Sequence, residues 1–201
     1  MQPDAALEAA LEASDAAGLP PISVSPAHGK LLWTFARLLN ARRILEVGTL
    51  GGYSTIWLAR GLAPGGKLIT LEALEKHAKV ARANIERAGL SAVVEIRVGQ
   101  ALETLPGIAG PFDLTFIDAD KRSNAEYFSW ALKLSRPGSL IVVDNVVREG
   151  AVIDARSRDA SVQGVRRLND LMAKERRVSA TAIQTVGVKG YDGVAVALVL
   201  E

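Results

Sequence analysis

The run Ile44-Leu45-Glu46-Val47-Gly48-Thr49-Leu50-Gly51-Gly52-Tyr53-Ser54, continued by Ile56-Trp57-Leu58-Ala59, decides the fold. Its first four residues are apolar except for Glu46 and suit a short buried strand. The glycines at 48, 51 and 52 suit a tight turn, and the residues from Tyr53 onward suit a helix. In an open α/β sheet, ligands sit at the carboxyl ends of the strands, where glycines let the backbone approach them. The spacing departs from the dinucleotide fingerprint, because Leu50 stands where G-x-G-x-x-G needs its second glycine to admit a pyrophosphate. The Gly-Lys-Ser/Thr of a phosphate-binding loop is also missing. Glu46 at the strand end would repel a phosphate and attract an amino or cationic group.

Outward from this turn the chain alternates. Upstream, residues 4–17 carry Leu7 and Leu11 at a helical spacing, broken by Gly18, Pro20 and Pro21. A second helical pattern runs through Lys30, Leu31, Leu32, Phe35, Leu38 and Leu39. Downstream, strands are predicted over 67–71, 93–98, 112–117 and 140–143. Helices are predicted over 74–88, ended by Gly89, and over 124–134, stopped by Pro137-Gly138. Past Asp144 a polar stretch from 148 to 159 precedes a helix over 162–174. Two strand-like runs, 179–186 and 193–200, joined through Gly187, Gly190 and Asp192-Gly193, predict a hairpin. The expected fold is therefore α/β: a doubly wound, mostly parallel seven-stranded sheet with helices on both faces and a C-terminal antiparallel hairpin. The 201 residues suit a single domain, 1–201, with an appended helix in residues 1–20.

Composition narrows the chemistry. Without cysteine there is no disulfide framework, thiolate nucleophile or Cys-ligated zinc, and His28 and His77 alone cannot build a multi-histidine metal site. A net charge of +2 is too small to argue for nucleic acid. The segment 148–177, with 8 Arg/Lys against 5 Asp/Glu, reads as a solvated helix rather than an RNA surface. No apolar run approaches the roughly 18 residues of a membrane span, and Met1-Gln2-Pro3-Asp4 does not start a signal peptide, so a cytoplasmic protein is expected. Trp33, Trp57 and Trp130 fall in helical patterns and read as core or interface aromatics. His77 lies in a polar helix and reads as solvated.

Two further acidic features stand at strand ends. Glu72 lies 24 residues beyond Gly48, about where an acidic side chain grips ribose hydroxyls. A glycine turn without a phosphate cradle, together with Glu46 and Glu72, suits S-adenosylmethionine. The fourth strand ends in Asp118-Ala119-Asp120-Lys121 and the fifth in Asp144-Asn145. Adjacent parallel strands lie about 4.8 Å apart, so Asp118, Asp144 and Asn145 can converge as an all-oxygen set suited to a hard divalent cation such as Mg2+. The plainer alternatives are that Asp118 and Asp120 cap a helix starting near Arg122 and that Asp144-Asn145 make a turn.

In order and spacing, the 46–54 turn, Asp118-Ala119-Asp120-Lys121 and Asp144-Asn145 resemble the cation-dependent O-methyltransferases of the catechol and caffeoyl-coenzyme A type, over nearly the whole chain from about Val24. The resemblance implies the class I S-adenosylmethionine-dependent methyltransferase fold and a set of site residues. Asp118, Asp144 and Asn145 match the metal ligands, for Mg2+ or alternatively Mn2+ or Ca2+. Lys121, beside Asp118, matches the catalytic lysine that helps deprotonate the attacking hydroxyl. Val24, Glu46, Gly48, Thr49, Ser54, Glu72, Ala101, Asp118 and Asp120 match positions around the cofactor. Lys189-Gly190-Tyr191-Asp192-Gly193 fits the family's glycine-rich turn before its last strand. The implied acceptor is a small aromatic vicinal diol, and the implied assembly is a homodimer. Three alternatives stay open: a tRNA hydroxyuridine O-methyltransferase, a nucleotide-dependent oxidoreductase, and a non-catalytic cofactor-binding module. The roles of His28 and of the 148–159 loop carry no readable code.

Overall fold

The computed structural model describes residues 4–187 and 190–201. The chain divides into two compact units, one up to Gly107 and one from Ile108.

The first unit contains α1 (Ala5–Ala16), α2 (Pro26–Leu38), β1 (Arg43–Val47), α3 (Tyr53–Gly61), β2 (Lys67–Glu72), α4 (Glu75–Arg87), β3 (Val94–Val98) and the short α5 (Ala101–Thr104). Its strands lie in the order β3-β2-β1, all parallel, with Val47 opposite Leu71 and Glu72 opposite Val98. Ile44, Leu45 and Val47 are buried, as a strand covered on both faces requires. Helix starts obey side-chain chemistry. The Asp4 carboxylate accepts from the amides of Ala6 and Leu7, and the Ser25 hydroxyl accepts from the His28 amide, ahead of a first turn that carries Pro26. The leading helix is sewn into this unit: Leu7, Ala10 and Ser14 are buried, and the Asn84 amide on α4 donates to the carbonyls of Ala10 and Gly51.

The second unit contains β4 (Phe112–Ile117), α6 (Asn124–Lys133), β5 (Ser135–Asp144), α7 (Ala160–Lys174), β6 (Val178–Gly187) and β7 (Gly190–Val199). Its order is β4-β5-β7-β6, with β4 and β5 parallel and β7 antiparallel to both neighbours. Phe112, Leu114, Phe116 and Phe128 fill its core, and α7 turns Val162, Val165, Leu168 and Met172 inward. A single 3-10 turn occupies Lys121–Ser123, and Arg148–Ile153 is a 3-10 segment broken by a kink at Glu149 and Gly150.

The predicted strands and hairpin are present, with local differences. Pro137-Gly138 does not separate α6 from the next strand but lies inside β5. There the register shifts between Phe112 and Leu114, and the Ser139 hydroxyl bridges the Arg136 amide and the Phe112 carbonyl. An irregular segment of this kind tolerates a proline that a regular ladder would not. Asp192-Gly193 belongs to β7, opposite Thr185 and Gln184, rather than to the hairpin turn. Lys189 lies outside the described residues. Among the described residues, no helix is long and apolar enough to cross a membrane.

Candidate active site

In the first unit the 46–54 turn is held by carboxylates that accept from hydroxyls and backbone amides. Glu46 is fully buried, and its two oxygens accept from the hydroxyls of Ser54 (2.7 Å) and Thr55 (2.5 Å) at the start of α3. Glu72, at the end of β2, accepts from the amides of Leu50 (2.8 Å), Thr49 (3.3 Å) and Leu74 (3.0 Å). The Thr49 hydroxyl meets that of Thr70 at 2.5 Å. Gly48 has φ 101°, which only glycine adopts freely. Leu50 has φ 50°, a left-handed conformation unusual for leucine, and Glu72 holds its amide there. Two other members of the set lie near these elements in the chain. Val24 is buried just before the Ser25 cap, and Ala101 is buried at the first residue of α5. The Gly99 amide donates to the Glu72 carbonyl, which brings the approach to Ala101 alongside the end of β2. His77 differs from its solvated reading: it is largely buried, with Nδ1 3.3 Å from Glu72 Oε1, because the first turn of α4 folds back over the carboxylate that precedes it.

In the second unit, Ile117 pairs with Val143, so Asp118 and Asp144 come next at the same level of two parallel strands. Lys121 Nζ donates to Asp118 Oδ1 at 2.5 Å, and both side chains are mostly buried. Burial and the neighbouring Asp118 charge push the Asp144 carboxyl up to about 7, while the Lys121 ammonium pulls it the other way. Asn145 has φ 60°, a left-handed conformation that asparagine tolerates, and its amide donates to Asp144 Oδ1 at 2.8 Å. Two carboxylates and the side-chain oxygen of the adjacent asparagine make a donor set that fits a hard divalent cation, which would add to the relief that Lys121 gives their repulsion. Among the described residues, no group of three His, Cys, Asp or Glu is gathered for a metal; the third member of this trio is an asparagine.

Asp120 faces other partners. Its carboxylate accepts from Ser123 (2.9 Å) and from the Tyr127 hydroxyl (2.5 Å), with Arg122 at 3.6 Å. It makes no side-chain cap for the 3-10 turn that begins at Lys121, so the capping alternative does not describe this segment. Burial and Asp120 together hold the Tyr127 hydroxyl above its ordinary range. Trp57 is buried, whereas Trp33 and Trp130 lie under the ammonium groups of Lys30 and Lys133 at 3.3 and 4.4 Å from the ring centres.

Sequence reasoning missed Thr55, Thr70 and His77 because the partner of each is distant in the chain or hidden in a polar helix. It also missed the use of Asp192, whose carboxylate accepts from the amides of Val147, Arg148 and Gly193. An acid between an aromatic residue and a glycine at the start of a strand was the available signal.

Residues 4–198 match the O-methyltransferase family. The chain is 56% identical over 200 residues to a catechol O-methyltransferase of Niastella koreensis, covering 98% of this chain and 90% of that protein. It is 57% identical over 197 residues to a catechol O-methyltransferase of Mycobacterium tuberculosis, covering 98% and 89%. An O-methyltransferase from Bacillus cereus, solved in complex with SAH, superposes with a TM-score of 0.98 at 58% identity, covering 99% of this chain and 92% of that one. The chain belongs to this family: it is an S-adenosylmethionine-dependent O-methyltransferase with the class I methyltransferase fold, a seven-stranded mixed sheet ending in an antiparallel hairpin.

Proposed function

We propose that this O-methyltransferase transfers the methyl group to one hydroxyl of a small aromatic vicinal diol of the catechol or caffeoyl type, and that it depends on a divalent cation, Mg2+ first, held by Asp118, Asp144 and Asn145. The observation that carries the reading is the pair of register-matched aspartates with Lys121 on one of them. The catechol O-methyltransferase names of relatives at 56% and 57% identity support the acceptor class. A cation held there by Asp118, Asp144 and Asn145 would supply Lewis-acid chemistry, lowering the pKa of the acceptor hydroxyl.

The chain's own residues do the rest. The Lys121 ammonium donates to the attacking oxygen and stabilises its deprotonated form as the hydroxyl proton passes to solvent. The oxygen forms its bond to the methyl carbon as the carbon–sulfur bond breaks, leaving S-adenosylhomocysteine. The sulfonium already activates the methyl, so alignment is the main task left to the protein. Glu72 accepts from the ribose hydroxyls, Glu46 and Ser54 favour the amino end of the cofactor, and Val24, Gly48, Thr49, Ala101 and Asp120 line it. Chain 1–201 works as one methyltransferase domain. It pairs as a homodimer through apolar residues of its early helices such as the exposed Leu38, which light scattering tests.

The deciding experiment is an intact-mass methylation screen with catechol, a caffeoyl ester and tRNA, each with Mg2+ and with excess chelator. Methylated diol is expected with Mg2+, lost in chelator and restored by the metal. Full activity in chelator would remove the cation from the proposal, and methylation of tRNA alone would move the acceptor.

A further inference from the structure

Strand β7 is longer than its partner requires. It pairs with β6 from Gly190 onward, but its first partner on β5 is Val194, opposite Asp144, so residues 190–193 project past the end of β5. The chain leaving β5 turns sharply there. Asn145, Arg148 and Glu149 have φ of 60°, 52° and 53°, three non-glycine residues in a conformation that few side chains favour. Nearly every group on the projecting strand is spent on holding that turn. Asp192 Oδ1 accepts from the amides of Val147 (3.0 Å), Arg148 (2.9 Å) and Gly193 (2.8 Å). The Val146 amide donates to the Gly193 carbonyl at 3.0 Å, and the Tyr191 hydroxyl donates to the Glu149 carbonyl. A Cβ at Gly193 would stand 2.4 Å from Val147 Cγ2, so glycine is what lets the turn lie against the strand.

From this we infer that Asp192 is a positioning residue: it fixes residues 145–149 and thereby presents the Asn145 side chain beside Asp118 and Asp144. The inference rests on the proposed cation site. Without an acceptor at 192, the Val147 and Arg148 amides would lose their partner, and a turn strained at three residues would relax toward ordinary backbone conformations. Asp192 touches neither cofactor nor acceptor in this role. It acts through the backbone, as groups behind a metal ligand commonly do.

The test uses the full chain, free of metal, with Mn2+ as the probe. Amide hydrogen exchange at Val147 and Arg148 is expected to accelerate about tenfold in Asp192→Ala. The Mn2+ dissociation constant, read by electron paramagnetic resonance, is expected to rise about 10- to 100-fold. Affinity for S-adenosylmethionine should not move, which separates positioning from general loss of structure. Asp192→Asn, whose side-chain oxygen still accepts, should keep Mn2+ affinity within about threefold. Asp192→Ser, too short to reach both amides, serves as the second loss variant should Asp192→Ala fail to fold. Unchanged exchange, or Mn2+ binding as tight in the loss variants as in the wild type, would overturn the role of Asp192. So would an Asp192→Asn chain as impaired as Asp192→Ala. Absence of saturable Mn2+ binding by the wild-type chain would instead overturn the cation reading on which the inference rests.

Discussion

Glu46 and Glu72 stand at or beside the carboxyl ends of β1 and β2, just as Asp118 and Asp144 stand at the ends of β4 and β5, yet their surroundings are opposite. The two glutamates are held by hydroxyls, backbone amides and one imidazole, which fix the glycine turn around them. Burial and the neighbouring Asp118 charge push the Asp144 carboxyl up to about 7, with the Lys121 ammonium pulling it the other way. Carboxylates at one kind of strand position therefore serve two purposes. Where neutral donors surround them they build structure, and where like charges crowd them they create a demand for positive charge.

Substitutions should separate these purposes. The largest effect is expected for Asp144→Ala, which should lower turnover by at least about a thousandfold while leaving S-adenosylmethionine affinity, measured by calorimetry, within about threefold. A parallel loss of cofactor affinity would mean that the two regions are not separable. Glu46→Ala should act through stability instead. The buried Thr55 hydroxyl and the half-buried Ser54 hydroxyl lose their acceptor, at a cost of about 3 kcal/mol, and the thermal midpoint should fall by about 6–12 °C. A midpoint that does not move would show that the glutamate does not hold the turn.

A third effect, on stability rather than on turnover, is the pH dependence of the metal-free chain. The Asp144 carboxyl titrates higher folded than unfolded, so between about 4 and about 7 the native state binds more protons than the unfolded state. Stability should therefore fall as pH rises through that window, by up to about 1.4 kcal/mol per pH unit. Asp144→Asn should flatten the slope, stabilising the protein most at pH 8 and progressively less as pH falls towards 4. A denaturant series with the same slope in both proteins would show that Asp144 carries no such strain.

Much of this arrangement was legible in local patterns. The run from Ile44 to Ala59 announces strand, turn and helix because apolar residues, glycines and helix formers succeed one another at the spacing each element needs, and the same rhythm predicts the other strands. The acids at strand ends were visible because a strand fixes where its last side chain emerges. Pairings between side chains on different elements were not legible. Nothing near His77 points to Glu72, nothing near Thr55 points to Glu46, and Asp192 reads as a turn residue until β7 is seen to run past β5. Pro137-Gly138 misled for a related reason: a strand with an irregular segment accepts a proline that a regular one excludes.

By itself the sequence determined which elements form, where their ends fall and which acids stand there, since these depend on periodicity, turn chemistry and the order of residues along the backbone. Tertiary structure alone decided what each acid does. The environment of a charge, whether hydroxyl, amide, ammonium or second carboxylate, comes from groups that other elements bring to it, the Ser54 and Thr55 hydroxyls to Glu46 and the Asp118 carboxylate to Asp144, and it is this environment that separates Glu46 from Asp144.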